Sequence, residues 1–192
     1  EADWQPGGAS KWWLHHALKA LDGQLRKHGS SLVFRVGASL ENLQEICEMH
    51  EVSNVYWNRR YEPAIISRDA HIKKQLRHEG IGVESFCAAL LYEPHTIQNR
   101  SGKPFRVFTP FWKSLSKLGP SRSLVTMAER IPALAKGKQA DSLTIQSLGL
   151  LPTSAWDKSF YTHWQPCENG AWHALDSFRE TRLLRYKTDR DS

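Results

Sequence analysis

The sequence predicts an α/β fold, a Rossmann-like parallel sheet flanked by helices. Three short segments rich in strand-forming residues, 31–36, 52–57 and 81–86, alternate with segments whose apolar residues recur every three or four positions. The connections between them are short, and strands separated by helices pair in parallel through right-handed crossovers. We therefore expect helices on the faces of the sheet.

The helices are predicted from the same periodicity and from their end signals. A first helix over 10–28 stops at Gly29, and a second begins near Ser39, a residue type suited to an N-terminal cap. The third begins near Pro63 and runs to Gly80. Proline is tolerated there because the N–H it lacks would be unpaired in the first helical turn.

The pattern changes after residue 86. Aromatic residues concentrate over 105–112, and a short helix is predicted to run from this segment to residue 118. Scattered Ser, Gly and Pro follow, with brief helical fragments near 123–131 and 142–150, and helical periodicity returns at Gly170. We thus expect an α/β domain over 1–118, an inter-domain connector over 119–169 and the first helix of a further helical domain over 170–192.

Composition restricts the class of protein. The 192 residues include 26 Lys and Arg against 20 Asp and Glu, a formal net charge of +6, which is compatible with nucleic acid binding and equally with ordinary solubility. No apolar run approaches the roughly 20 residues of a membrane span, so we expect no membrane partner. Cys47, Cys87 and Cys167 are too widely spaced for a disulfide framework or a CxxC metal site, which favours a cytoplasmic location.

Familiar cofactor and metal motifs are absent from the sequence, which has no GxGxxG, GxxxxGK[ST] or HExxH. The adjacent His15 and His16 would point about 100° apart on a helix, so they cannot chelate one metal and are interpreted as helix surface. Lys73 and Lys74 are interpreted as the solvated face of the third helix. Composition and spacing alone indicate a cytoplasmic α/β domain with a tail.

Several ordered blocks of the sequence match a known family. The central block reads VYWNRRYEP over 55–63. The others are the helix block over 8–21, LYEP over 91–94, GKPFRVFTPFWK over 102–113, and Phe178, Leu183, Tyr186, Arg190 and Asp191 near the end. Together they resemble the DNA photolyase and cryptochrome family over about residues 8–118 and 170–192.

The resemblance implies two cofactors and an activity. In that family an α/β domain holds a light-harvesting antenna chromophore of the folate or deazaflavin type, and a helical domain binds FAD, which repairs pyrimidine dimers in DNA under light. It implies a deoxyribodipyrimidine photolyase, acting on DNA that contains such dimers and monomeric at full length. A cryptochrome-type blue-light photoreceptor is the first alternative, and a nucleotide-binding α/β module without light function is the second.

Candidate site residues follow from the matching positions. Trp57 and Asn58 stand at the carboxyl end of the second strand, where open α/β sheets bind ligands, and a place beside the antenna is implied for both. Core packing is an equal alternative for Trp57. Arg59 or the next arginine is matched to a folate carboxylate, with solvated charge as the alternative, and Glu62 belongs to the same cofactor motif. Tyr186 matches a tyrosine that contacts the flavin phosphate, with a helix core aromatic as the alternative.

The sequence also departs from the family pattern. Ala64 and Ile65 stand where some members place Asn-Glu to hold folate, and an acidic residue that deazaflavin-binding members show near Arg60 is absent, so the antenna type stays open. The family's first strand, with Trp-Phe-Arg-Arg-Asp-Leu-Arg, and its phosphate-binding segment have no counterpart. We therefore expect a fragment whose sheet lacks its first strands, and which is inactive and poorly stable by itself.

Overall fold

The computed structural model describes residues 5–119, 128, 131–132 and 142–190. The chain divides into two compact units: a terminal unit formed by Glu1–Val36 with Ala128–Ser192, and a central unit formed by Gly37–Met127. The helical fragment predicted near 123–131 lies outside the described residues except at 128 and 131. None of the helices in the described ranges combines the length and the apolar character that crossing a membrane requires.

Helices and two strands follow one another in the order that an α/β fold predicts. The α-helices and strands are α1 (Gly8–Lys27), α2 (Ser39–His50), β1 (Asn54–Asn58), α3 (Pro63–His78), β2 (Gly82–Phe86), α4 (Phe108–Leu115), α5 (Phe160–His163), α6 (Glu168–Thr181) and α7 (Tyr186–Asp189). Short 3₁₀ helices lie at Pro94–Thr96, Gln146–Leu148, Ala155–Ser159 and Leu183–Arg185.

Two glycines end helices where the sequence predicts it. After α1, Gly29 adopts a φ of +88°, and the Ser30 N–H donates to the Leu25 carbonyl at 2.9 Å. Gly80 ends α3 in the same way, with a φ of +82°. Because glycine reaches positive φ without the steric penalty of a Cβ atom, both helices close in this tight C-terminal turn.

The central unit is built on β1 and β2, which pair in parallel with Val55 opposite Val83 and Trp57 opposite Ser85. The helix α3 connects the two strands, as the alternating pattern predicts. Their shared core consists of Ile72, Leu76 and Val83, with Leu40, Leu43, Val55, Trp57 and Ile81 packed around it. Side chains of α2 and α3 thus pack against the same face of the sheet.

The described sheet has two strands, and the strand predicted over 31–36 is wrong. In this segment the Phe34 N–H donates to the Ser142 hydroxyl at 2.9 Å, and the Phe34 carbonyl accepts from the Leu143 N–H at 3.0 Å. The Leu32 N–H donates to Asp22 Oδ1 at 2.8 Å. A strand needs a neighbouring strand for its alternate backbone groups, and here side chains and one isolated backbone bond take that place.

An aromatic cluster forms the core of the terminal unit. Trp12 is 1% exposed and His15 is 5% exposed. The centroid of the His16 ring lies 4.5 Å from that of Trp12 and 5.3 Å from that of Tyr161. The prediction that both histidines belong to the helix surface is therefore wrong, because side chains from distant segments cover this side of α1. Burial is the largest cause that lowers the pKa of each histidine.

The last part of the chain is more helical than predicted and is interrupted once. The 3₁₀ helix at Gln146–Leu148 confirms the fragment predicted near 142–150, whereas Ala155–Ser159 and α5 were not predicted. The helix α6 begins at Glu168, because the Cys167 sulfur accepts from the Gly170 N–H at 3.3 Å and caps it. It ends at Thr181, so the helix predicted to run on from Gly170 through Tyr186 is broken before α7.

Candidate ligand site

The carboxyl ends of β1 and β2 lie side by side because the strands are parallel. The first strand leads through residues 59–62 into α3, and the second leads into a loop over 87–93. The Arg59 N–H donates to the Phe86 carbonyl at 2.7 Å, one bond beyond the ladder. Since open α/β sheets bind ligands at this edge, these segments form the walls of the candidate site.

Arg59 fastens the loop after β2 to the sheet. Its guanidinium forms an ion pair with Glu93 and donates to the Ser85 carbonyl at 2.5 Å and the Ser85 hydroxyl at 3.4 Å. The Glu93 side chain is 17% exposed, and its other oxygen accepts from the Tyr61 hydroxyl at 3.1 Å. The Arg59 charge is therefore held by protein groups, and the loop cannot leave the sheet without breaking these bonds.

The Tyr61 hydroxyl stays protonated in this arrangement. Its hydrogen bond with Cys87 is the largest cause that raises the pKa of Tyr61, followed by burial and by the hydrogen bond to Glu93. A neutral phenol is a hydrogen-bond donor, so Tyr61 serves as a neutral donor to the Glu93 carboxylate and forms no competing negative charge.

Arg60 and Glu62 form a second ion pair, at the surface. The Arg60 Nε also donates to Glu62 Oε2 at 3.3 Å, and the Tyr61 N–H donates to the same oxygen at 3.1 Å. Hydrogen bonding from Arg60 is the largest cause that lowers the pKa of Glu62 to about 2. Both side chains of this pair are more than half exposed, so Glu62 shapes the turn before α3 from its solvent side.

A cavity of about 590 Å³ opens at the ends of the two strands, and we name it the strand-end cavity. Its walls include Trp57, Arg59, Tyr61, Lys73, Ser85 and Glu93. Lys73 reaches it from α3: its Nζ donates to the Ser85 hydroxyl at 3.0 Å and lies 5.6 Å from the centroid of the Trp57 ring. Small-molecule sites occupy roughly 300–1,000 Å³, so this volume suits a ligand of that class.

The structure brings three of the predicted site residues together at the strand ends. Trp57 and Arg59 line the strand-end cavity, and Trp57 and Asn58 line a neighbouring one of about 240 Å³. Glu62 lines neither of these cavities. Tyr186 belongs to the terminal unit, where its ring packs edge to face on Phe178, with 5.9 Å between centroids.

Two important residues of the cavity escape prediction from the sequence. From the sequence, Lys73 was assigned to the solvated face of its helix. Ile66, Ala70 and Lys73 follow one another at spacings of four and three positions, so they form one stripe along α3, and this stripe lines the cavity. That stripe, read together with the strand ends, is a signal that could have found Lys73. Glu93 stands in the LYEP block, but its contact with Arg59 spans 34 positions, and no local pattern indicates such a pair.

A family model, a curated relative and a solved structure all show that this chain is similar to DNA photolyases. The DNA photolyase family model matches residues 1–136. The deoxyribodipyrimidine photo-lyase of Agrobacterium fabrum is 37% identical over 186 residues, which cover 96% of this chain and 38% of that protein. The crystal structure of a class III photolyase from Agrobacterium tumefaciens superposes with a TM-score of 0.84 at 38% identity, covering 90% of this chain and 36% of the other.

Cryptochromes also match, at lower identity. Cryptochrome-1 of Arabidopsis thaliana is 30% identical over 193 residues, which cover 99% of this chain and 28% of that protein. A cryptochrome structure from Synechocystis sp. PCC6803 shares the fold, with a TM-score of 0.80 at 19% identity, over 97% of this chain and 39% of the other. The chain spans less than two fifths of the length of these relatives. Its family-model match and its photolyase relatives show that the chain belongs to the DNA photolyase and cryptochrome family.

Proposed function

We propose that this chain contributes the chromophore-binding α/β domain of a light-driven DNA repair flavoenzyme, a deoxyribodipyrimidine photolyase. The 37% identity to the Agrobacterium photolyase over 96% of the chain supports it most strongly. The proposal retains an α/β domain over 1–118, a connector over 119–169 and the start of a FAD-binding helical domain over 170–192. When bound, the antenna supplies excitation energy and FAD supplies the light-driven electron for a pyrimidine dimer in DNA.

The strand-end cavity supports the antenna part of the proposal. Trp57 offers an aromatic wall to a planar ring system, and Asn58 offers an amide at the neighbouring cavity. Arg59 keeps the loop wall in place, and Glu62 supports the turn into α3. We assign contact with the antenna to Trp57 and Asn58, and positioning to Arg59 and Glu62. A folate and a deazaflavin are distinguished by the absorption bands of the bound antenna.

For the FAD part, we assign contact with the flavin phosphate to Tyr186. Tyr186→Phe removes the hydroxyl and keeps the ring that packs on Phe178, whereas Tyr186→Ala removes both. We expect both variants to bind less flavin, measured as the ratio of flavin to protein absorbance in the purified protein. Unchanged occupancy in both would contradict the assignment.

The function is tested on the gene product that carries this chain. Its absorption spectrum is recorded for flavin and antenna bands, and DNA containing pyrimidine dimers is then incubated with it under blue light and in darkness. Dimer loss that needs light is the expected result. A gene product that binds no flavin would contradict both the photolyase and the cryptochrome proposals.

A cryptochrome-type photoreceptor is the second candidate, favoured by the 30% identity to Arabidopsis cryptochrome-1 over nearly the whole chain. Bound flavin without light-dependent dimer loss would select it. Under either candidate we propose a monomer at full length, in the cytoplasm, where the thiols of Cys47, Cys87 and Cys167, which form no disulfide within the described residues, stay reduced. Size-exclusion chromatography of the gene product measures the oligomeric state.

A further inference from the structure

The strand-end cavity contains a lysine whose charge has no anionic partner among the described residues. The two arginines of its wall are already paired, Arg59 with Glu93 and Arg60 with Glu62. The remaining carboxylate of the wall, Asp69, is paired with Arg68, and within the described ranges no carboxylate oxygen lies within 4 Å of the Lys73 ammonium. A half-buried cation of this kind is stabilised when an anion binds beside it.

Lys73 is held in place by neutral groups and keeps donors for a ligand. Its Nζ donates to the Ser85 hydroxyl at 3.0 Å and lies 5.6 Å from the Trp57 ring centroid. An ammonium carries three N–H donors, so one hydrogen bond does not exhaust it. The Ser85 hydroxyl accepts from both Lys73 and Arg59, and its own proton therefore remains available for a further acceptor.

Apolar side chains form part of the wall around this polar corner, beside charged and titratable residues that include Asp69 and His95. The side chains of Ile66, Ala70 and Pro94 line the same cavity, together with the Trp57 ring. Sites with mostly apolar walls and a few polar groups bind ligands whose rings fill the cavity and whose polar group fixes the orientation. The corresponding ligand is a planar heteroaromatic compound with an oxyanion.

We infer that Lys73 binds the carboxylate or phosphate of a planar heteroaromatic ligand in the strand-end cavity, with the Ser85 hydroxyl as a second donor. The inference rests on the proposed function for the identity of that ligand as the antenna chromophore. A folate brings carboxylates to this corner and a flavin-type compound brings a phosphate, and both present an oxyanion to the ammonium.

Calorimetric titration of the gene product that carries this chain distinguishes these sources. The probes are FMN, riboflavin, which lacks the phosphate of FMN, and 5-formyltetrahydrofolate, which carries carboxylates. Lys73→Met removes the charge and keeps an unbranched chain, and Lys74→Met makes the same change at the next, exposed residue of α3. A charge-assisted hydrogen bond contributes about tenfold or more in affinity.

If a phosphate occupies the corner, FMN binds about tenfold more tightly than riboflavin to the unsubstituted gene product and to Lys74→Met, and about equally to Lys73→Met. If a carboxylate occupies the corner, 5-formyltetrahydrofolate binds about tenfold more weakly to Lys73→Met than to Lys74→Met, and FMN shows no such loss. Riboflavin affinity that survives Lys73→Met shows that the cavity is intact. If the affinity for riboflavin also falls in Lys73→Met, the variant Lys73→Arg decides the question. A preference for the anionic probe that returns in Lys73→Arg supports the inference, and a preference that does not return overturns it.

The inference is wrong if Lys73→Met leaves the affinity of both anionic probes unchanged, or if the unsubstituted gene product binds none of the three compounds. The proposed function is judged separately, by the spectrum and the light-dependent repair of the gene product. A gene product that repairs dimers and keeps its antenna in the Lys73→Met variant would refute the role of Lys73 and leave the photolyase proposal standing.

Discussion

Replacing Glu93 with Gln is expected to destabilise the central unit by about 1–2 kcal/mol. Breaking a fully buried ion pair costs about 3–5 kcal/mol, whereas an exposed pair contributes about 0–1 kcal/mol. Glu93 is 17% exposed but Arg59 is 37% exposed, so solvent screening places this pair between the two limits. The amide can still accept from Tyr61, so the loss is confined to the charge opposite Arg59.

Urea denaturation followed by circular dichroism measures the effect. With a slope of about 1.5 kcal/mol per molar urea, the midpoint should fall by about 1 M with the slope unchanged. Glu62→Gln is the matched control, since it removes the carboxylate of a neighbouring Arg–Glu pair whose two side chains are 59% and 54% exposed. We expect no measurable shift in the control. A shift for Glu93→Gln no larger than that of the control would refute the conclusion that the ion pair of Arg59 and Glu93 holds the loop after β2 to the sheet.

Two further predictions concern the terminal unit and the end of α3. The folded-state pKa values of His15 and His16 lie below the ordinary value of 6.5, so their contribution to the free energy of unfolding is fully present above about pH 6.5 and is lost as the pH falls below it. Unfolding midpoints at pH 7.5 and 5.5 measure this effect. A midpoint that does not fall on acidification would contradict it. Gly80→Ala should lower the free energy of unfolding by about 1 kcal/mol, because the φ of +82° is strained for alanine. Gly23→Ala, where a Cβ atom would meet open space within α1, should raise it by about 0.5–1 kcal/mol. Thermal unfolding compares the two variants, and equal shifts would refute the conformational explanation.

Much of the central unit could be predicted because its signals are local. The apolar stripe of α3, Pro63 at its start and Gly80 at its end all lie within one segment, and the strands on either side carry their own strand-forming residues. Parallel pairing then follows from the connection between them. This is the part of the fold in which local preference and tertiary packing agree.

The errors arise where a distant segment decides the structure. Residues 31–36 have a strand-like composition, but their backbone groups pair with Asp22, Ser142 and Leu143. His15 and His16 are polar residues on a helix, yet His15 is buried and the ring of His16 contacts Tyr161, 145 positions later. No periodicity within a segment reports on such contacts.

The sequence predicted a ligand site at the carboxyl ends of the strands, but it predicted only some of the residues that line the cavity found there. The carboxyl ends of parallel strands meet at one edge, and this rule is enough to place Trp57, Asn58 and Arg59 together. The rule says nothing about side chains that reach the edge from a helix or a loop, which is how Lys73 and Glu93 arrive. The roles of Trp57, Asn58, Arg59, Glu62 and Tyr186 toward a cofactor remain predictions.

The two charged features of the strand-end cavity should act on ligands in different ways. The pair of Arg59 and Glu93 is internally neutralised and holds a wall, whereas the ammonium of Lys73 stays available inside it. Loosening the wall by Glu93→Gln should therefore weaken FMN and riboflavin by the same factor, while Lys73→Met should remove only the advantage of the phosphate. Titration of both compounds against both variants measures the four affinities. A loss in Glu93→Gln that is confined to FMN would mean that the loop contributes to the recognition of charge, because a change in wall position alone cannot separate two ligands with the same ring system.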